Sequence, residues 1–430
     1  MTSTLSATTA PPHGFSRARV RLALLALALG GFAIGCTEFV AMGLLPNIAS
    51  ELFPALYAHA PENANAQAGL LISAYAAGVV VGAPTIAALS ARFARKKLLL
   101  SLLVAFTLTT VASAILPSFG LVLAARFLAG LPHGAYFGVA ALVAASLMGP
   151  GSRGKGIAFV LGGLTIANVL GVPAITLLGQ GLGWRLAYLA VAFLFALTFV
   201  AVWYAVPMQS GDPAATLRRE LGVFRRPQVW LALAIGSIGF GGFFAIYTYV
   251  APIVTTVTGL DASFVPIALV VAGLGMTLGN FVGGHVADIS VMRALFISFG
   301  AFGVALTGLA LTAQNPVGLL FFLFLVGAAA SALSPAIQTR LMDVAGDSQT
   351  LAAAVNHASL NIGNSLGAAL GGVVVAAGLG YLSPVWLGLG LAALGVIIAI
   401  ISVVTHRRSD SKLAGRLSLQ QNAVLDGTLS

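Results

Sequence analysis

The run LALLALALGGFAIGCTEFVAMGLL, residues 22–45, decides how the chain is to be read. As a helix rising 1.5 Å per residue it is long enough to cross the ~30 Å hydrocarbon core of a bilayer. It carries a single charge, Glu38. Arg17, Arg19 and Arg21 precede it in the manner of a secretory leader. A leader's apolar core, however, is only ~7–15 residues long. The run therefore predicts an uncleaved first membrane helix. Residues 1–16 (MTSTLSATTAPPHGFS) are polar and contain proline, a composition expected to stay disordered.

The rest of the chain repeats that pattern. Only 7% of the 430 residues are charged, against roughly a quarter in a soluble domain. Hydrophobic residues make up 59% of the chain, about 250 residues, and twelve membrane helices of ~20 residues need ~240. Apolar stretches between polar punctuation predict helices over 22–45, 67–89, 98–117, 119–148, 156–179 and 186–206. A second set is predicted over 229–257, 266–288, 293–313, 317–341, 350–377 and 385–405. The expected fold class is an all-α membrane protein with twelve transmembrane helices in two pseudo-symmetric six-helix bundles. The bundles occupy 22–206 and 229–405. The segment 207–228 (PMQSGDPAATLRRELGVFRRPQ) is the linker, and 1–21 and 406–430 are terminal tails.

Charge placement gives an orientation. The +10 net charge gathers at alternate connections: Arg17, Arg19 and Arg21; Arg92, Arg95, Lys96 and Lys97; Arg153 and Lys155; Arg218, Arg219, Arg225 and Arg226; Arg293; Arg340; then Arg407, Arg408, Lys412 and Arg416. Arg185 lies in an opposite loop and Arg126 inside an apolar run. The positive-inside rule then predicts both termini in the cytoplasm. This accounts for the basic surplus without a nucleic-acid partner. The two halves also echo each other. IANVLG from Ile166 matches IGNSLG from Ile362, pairing Asn168 with Asn364 and Gly171 with Gly367, and Gly82 pairs with Gly279 at nearly the same offset. Such duplication places a substrate site between the halves near the midplane.

Several function classes are disfavoured. Cys36 is the only cysteine, so no internal disulfide forms. No zinc-type cluster, P-loop or nucleophile elbow stands in its required context. The chain is read as no enzyme, with no metal and no cofactor.

Short motifs then point to a family. AALSARFARKK, from Ala87 to Lys97, resembles the signature between the second and third helices of the major facilitator superfamily. Leu89, Arg92, Arg95 and Lys96 fall on matching positions, while alanines replace the glycines and the aspartate. The equivalent GHVADISVMR keeps Gly284 and Asp288. GGLTIANVLGVPAITLLGQ, from Gly162 to Gln180, resembles the antiporter signature of that superfamily through Gly162, Gly171, Pro173 and Gly179. Val172 separates the usual Gly-Pro pair. TEFVAMGLLPNIASEL, from Thr37 to Leu52, and HGAYFGV, from His133 to Val139, are similar to bacterial drug and sugar exporters of the twelve-helix group. The resemblance implies an inner-membrane transporter whose partners are protons, a small organic substrate and the lipid bilayer.

Within this frame a few polar residues are candidates. Glu38 lies about 24 Å along the first helix. A charged carboxylate facing lipid there costs on the order of 3 kcal/mol. It is either the proton carrier of an antiport cycle or a structural carboxylate bonded to a neighbouring helix. Arg126 either pairs with Glu38 or snorkels to water from the helix end. His133, two turns further along, titrates or fills a packing position. Asn168, His357, Asn361 and Asn364 either join helices or line a wet cavity. Phe244, Tyr247 and Tyr249, beside Phe243, form either an aromatic pocket or a lipid-facing surface. Gly162, Gly163 and Gly171 are expected to let helices approach closely, with Pro173 bending the fifth helix. Arg92, Arg95, Lys96 and Asp288 are expected at a cytoplasmic gate, set against opposite charges or helix ends.

Overall fold

A bilayer offers its interior no hydrogen-bond partners, so each spanning segment must satisfy its own backbone. The computed structural model, which describes residues 16–90, 93–149, 151–210, 226–345 and 349–425, does so with helices. Twelve of them, among the described residues, are long and apolar enough to cross a membrane. The first six are α1 (Arg17–Gly43), α2 (Pro61–Ser90), α3 (Arg95–Ile115), α4 (Phe119–Met148), α5 (Arg153–Leu182) and α6 (Trp184–Ala205). The second six are α7 (Pro227–Tyr247), α8 (Phe264–Ile289), α9 (Val291–Thr312), α10 (Pro316–Ala345), α11 (Gln349–Val374) and α12 (Ser383–Leu425). A wider π-turn, Val375–Leu379, prolongs α11.

Each helix overlaps the stretch expected from hydropathy, and the departures have local causes. α1 starts at Arg17 because the Ser16 side chain accepts the Arg19 N–H as an N-cap. The connection expected over 46–66 holds two short helices, Leu45–Leu52 and Pro54–His59, and α2 already begins at Pro61. All three start with proline in the first turn, where its missing N–H costs nothing. α12 continues past 405 to Leu425, so the expected tail is helical through 425. Residues 1–15 and 211–225 lie outside the described residues. An even number of spans returns α1 and α12 to one end of the bundle, here called the terminal end. The opposite one is the far end.

Backbone contact, rather than side-chain interdigitation, holds the tightest pairs. α2 packs on α4 and α8 on α10. A Cβ added at Gly78 would strike the Phe127 carbonyl, and one at Gly82 the Leu131 carbonyl. In the second half Gly275 stands in the same way against Phe324, and Gly279 against Ala328. The four residues of one half map onto those of the other with a single offset (78 to 275, 127 to 324), so the duplication extends to individual contacts. Close approach of this kind replaces the hydrophobic drive that lipid does not supply.

α5 is the irregular member. Pro173 has no N–H to give, and the helix passes through a π-turn over Ala167–Gly171 in which the Val172 N–H reaches Ala167 O. Gly163 lies against the Ala28 carbonyl of α1, and Gly171 against Cys36 and Phe32. Gly179 packs on the Leu44 side chain. Gly162 departs from its expectation: a Cβ there would meet nothing within 4 Å, since it lies off the α1-facing stripe that Gly163 occupies.

The halves meet along two seams, α2 with α11 and α5 with α8. On the first, Ser73 Oγ donates to Ser365 O and Ser365 Oγ donates back to Ser73 O, both at 3.1 Å. Further out, Asn65 Nδ2 donates to Tyr381 Oη at 2.7 Å. Burial pushes the Tyr381 phenol up to about 12, so this contact stays neutral at physiological pH. On the second seam Gly273 admits the Asn168 carbonyl of the π-turn, and Gln180 Nε2 donates to Ala262 O at 2.9 Å. These bonds run from mid-bundle to the far end.

Gly78→Ala and Gly275→Ala are each expected to destabilise the protein by ~1–3 kcal/mol through overpacking. Gly162→Ala is expected to leave it unchanged or slightly more stable. Thermal unfolding in detergent checks all three, and equal effects at the three sites would refute the backbone-contact account.

Candidate functional site

Where the seams converge at mid-bundle, both halves contribute polar side chains that lipid would not tolerate. Glu38 of α1 is 5% exposed, and its Oε1 accepts a hydrogen bond from Asn364 Nδ2 of α11 at 3.3 Å. This bond joins the first half to the second. The residue expected from sequence to carry a buried carboxylate therefore faces the partner bundle and not the lipid.

Arg126 of α4 is fully buried, which removes the snorkelling expectation. Its expected bond to Glu38 is not formed either. Nη1 instead donates to Thr37 Oγ1 at 3.2 Å and Nη2 to Thr37 O at 3.0 Å. The guanidinium stacks 4.3 Å from the Tyr75 ring centroid of α2 and lies 5.4 Å from that of Tyr188 of α6. Thr37 adjoins Glu38, so cation and carboxylate are within electrostatic reach without direct contact. The π-faces and the Thr37 carbonyl supply the partial negative charge that the buried guanidinium requires.

Tyr75 links this group to the histidine two turns away. Its hydroxyl lies 3.0 Å from His133 Nδ1. His133 then approaches His357 of α11, with ring centroids 6.3 Å apart, and Phe137 stacks on His357 at 5.6 Å with the rings 1° from parallel. One continuous chain of contacts thus runs Thr37–Arg126–Tyr75–His133–His357 across the halves. Tyr75, Thr37, Tyr188, Ser73 and Ser365 were not picked out from sequence. A signal for Tyr75 was present: a phenol in mid-span, one turn before Gly78, where α2 and α4 touch.

α7 supplies the aromatic wall. Phe244 stacks on Phe39 at 6.3 Å and 2°, and Tyr247 meets Phe39 edge-on at 5.9 Å. Both are buried against α1, which removes the lipid-facing reading. Tyr249 is separated from them. It lies past the end of α7, its hydroxyl donates to Ala368 O at 3.2 Å, and it fills the space left by Gly69 and Gly372 on the α2–α11 seam. Asn361 Nδ2 bonds back to His357 O at 3.0 Å. The Oδ1 atoms of Asn168, Asn361 and Asn364 are buried without a hydrogen-bond partner among the described residues.

The candidate gate residues lie apart from this cluster, at the terminal end. Arg95 Nη1 donates to Gln209 Oε1 at 3.4 Å, and Lys96 Nζ to Trp203 O at 2.6 Å, near the C-terminus of α6. Asp288 is exposed near the end of α8, and Arg92 lies outside the described residues. A groove of about 730 Å³ on the flank of α9, α10 and α12 is lined by apolar and small side chains such as Phe296, Gly303, Phe322 and Leu389. It holds none of the candidate polar residues and faces outward, where acyl chains would lie.

The comparisons with known proteins agree with this geometry. The family model described as Major Facilitator Superfamily matches residues 27–289 and again 246–425. The inner membrane transport protein YdhP of Escherichia coli K12 is 39% identical over 384 residues, covering 89% of this chain and 96% of that protein. A chloramphenicol resistance protein of Streptomyces lividans is 34% identical over 382 residues, covering 88% and 95%. Among solved structures, a D-xylose-proton symporter superposes with a TM-score of 0.71 at 18% identity, over 89% of this chain and 97% of that one. Twelve apolar helices, a duplicated contact plan and relatives matched almost end to end place the chain in the Major Facilitator Superfamily, as a multi-pass membrane transporter.

Proposed function

We propose that this chain exports a small organic molecule across the bacterial inner membrane in exchange for protons, with both termini in the cytoplasm. The observation that carries this reading is the Glu38–Asn364 bond, an acid of one half held by an amide of the other. An ionised carboxylate accepts a charge-assisted hydrogen bond, roughly twice as strong as a neutral one. Protonation of Glu38 weakens that bond and with it the attachment of α1 to α11. The halves then rock about the site, exposing it to one side and the other. The names of the relatives, an inner membrane transport protein and a chloramphenicol resistance protein, agree with export of a drug-like molecule. The shared fold does not set direction, since the same architecture serves a proton symporter for xylose.

The energy suffices. One charge moving through 100 mV yields about 2.3 kcal/mol, enough for roughly a 50-fold gradient of a neutral substrate. In the gate, the cations of Arg95 and Lys96 sit against the C-terminal end of α6, where the helix dipole favours them. α5, bent at Pro173 and thinned at Gly163 and Gly171, provides the flexible contact with α1 and α8.

Glu38→Gln is expected to abolish gradient-driven export in energised vesicles and substrate-induced proton release from the purified protein. Retained uphill efflux would remove Glu38 from the cycle. Asn364→Ala is expected to move the pH midpoint of that proton release by about one unit, the worth of a charged hydrogen bond. An unchanged midpoint would leave Asn364 a packing residue. Single cysteines placed in the 207–228 linker of a Cys36→Ser protein should react with a membrane-impermeant maleimide in inverted vesicles and not in intact cells. Labelling in intact cells would reverse the orientation.

A further inference from the structure

The terminal end of α1 carries an apolar groove on its outer face. About 250 Å³ in size, it is walled by Leu22, Leu25, Ala26 and Leu29 of α1 and by Ala201 and Tyr204 of α6. It opens towards the bilayer, since Leu22, Leu25 and Tyr204 are all more than half exposed. The four α1 residues recur at the spacing of one helix face, and from Leu22 to Leu29 the wall descends about 10 Å. One leaflet contributes ~15 Å to a ~30 Å hydrocarbon core, so the groove belongs to the leaflet at the terminal end. Trp203 and Tyr204, both exposed in the last turn of α6, are aromatics of the kind that settle at headgroup depth.

Positive charge crowns this groove. Counting back along the same face of α1 gives Arg19, three residues before Leu22, and Arg21, four before Leu25. Both are exposed. Lys96, in the first turn of α3, donates to Trp203 O at 2.6 Å. That bond brings its ammonium to the α6 side of the groove, within electrostatic reach of Arg19. Like charges drawn together from two helices repel, and an anion among them relieves the repulsion. The positive-inside rule places basic residues at this end. It does not align them with an apolar groove.

A free anion would use the cations alone, and a neutral lipid the groove alone. We infer that the terminal ends of α1, α3 and α6 form a binding site for one anionic phospholipid. Arg19, Arg21 and Lys96 hold its phosphate, and one acyl chain lies along the groove between α1 and α6. A guanidinium meets phosphate oxygens in pairs, and Lys96 has two further donors beside the one on Trp203 O. Glu38 and the transported molecule take no part in this site.

Native mass spectrometry of the full chain in detergent, titrated with dioleoylphosphatidylglycerol or dioleoylphosphatidylcholine, tests this. The two lipids share their chains and differ in net charge. Wild-type protein should hold one phosphatidylglycerol at least about tenfold more tightly than phosphatidylcholine. Arg19→Gln/Arg21→Gln should weaken phosphatidylglycerol roughly 25-fold, about fivefold for each cation near an anionic headgroup, and leave phosphatidylcholine unchanged. Ala201→Phe fills the groove while keeping every charge, and should weaken phosphatidylglycerol at least about tenfold. Equal affinity of the wild type for the two lipids overturns the proposal, and that arm needs no variant to fold. So does an Arg19→Gln/Arg21→Gln protein with unchanged lipid preference. An Ala201→Phe protein with the wild-type thermal midpoint and undiminished phosphatidylglycerol binding overturns it too, because surface charge alone would then account for the attraction.

Discussion

The hydrogen bond between Glu38 and Asn364 joins two bundles that also meet through backbone, hydroxyls, amides and aromatic rings. Its position is set by the solvent. Lipid cannot stabilise an ionised carboxylate, so the acid must face protein, and the face available to α1 at that height is the seam. Arg126 follows from the same constraint. Buried beside the acid, it takes its compensation from Thr37 and two aromatic faces, which leaves the carboxylate free to engage the opposite half.

The duplication explains both the regularity and the exception. Glycine-on-carbonyl contacts recur in α2–α4 and α8–α10, so the two halves are built to one plan. The charged residues break that plan. Glu38 and Arg126 belong to the first half alone, while the second presents Asn364 and His357. Symmetric scaffolds thus enclose an asymmetric polar lining. Of the far-end contacts, those between the halves include a serine pair exchanging bonds and an amide on a neutral phenol, while the charged pair Arg185–Glu51 stays within the first half.

Much of the fold was legible because a bilayer writes it directly into composition. Twelve apolar runs, basic alternate connections and the Asn168/Asn364 echo all stand in the sequence. The candidate site was legible only in part. Glu38 stands out in the sequence because an acid in an apolar run must find a polar partner, which here is Asn364. Gly162 was grouped with Gly163 because two adjacent glycines look alike in sequence, yet they lie 100° apart on a helix and only one faces α1. Tyr75 went unnoticed because a tyrosine in a membrane span is unremarkable until its hydroxyl and its face are both seen to be used.

By itself the sequence determined the helices, their number and the duplicated halves, because hydrophobic length and periodicity are local properties. The tertiary structure decided the partners. Whether Arg126 takes a carboxylate or a threonine, and whether Tyr249 lines the site or closes the seam, depends on side chains brought together from residues hundreds apart. Such distances are set by how the bundles pack, and linear spacing does not encode them.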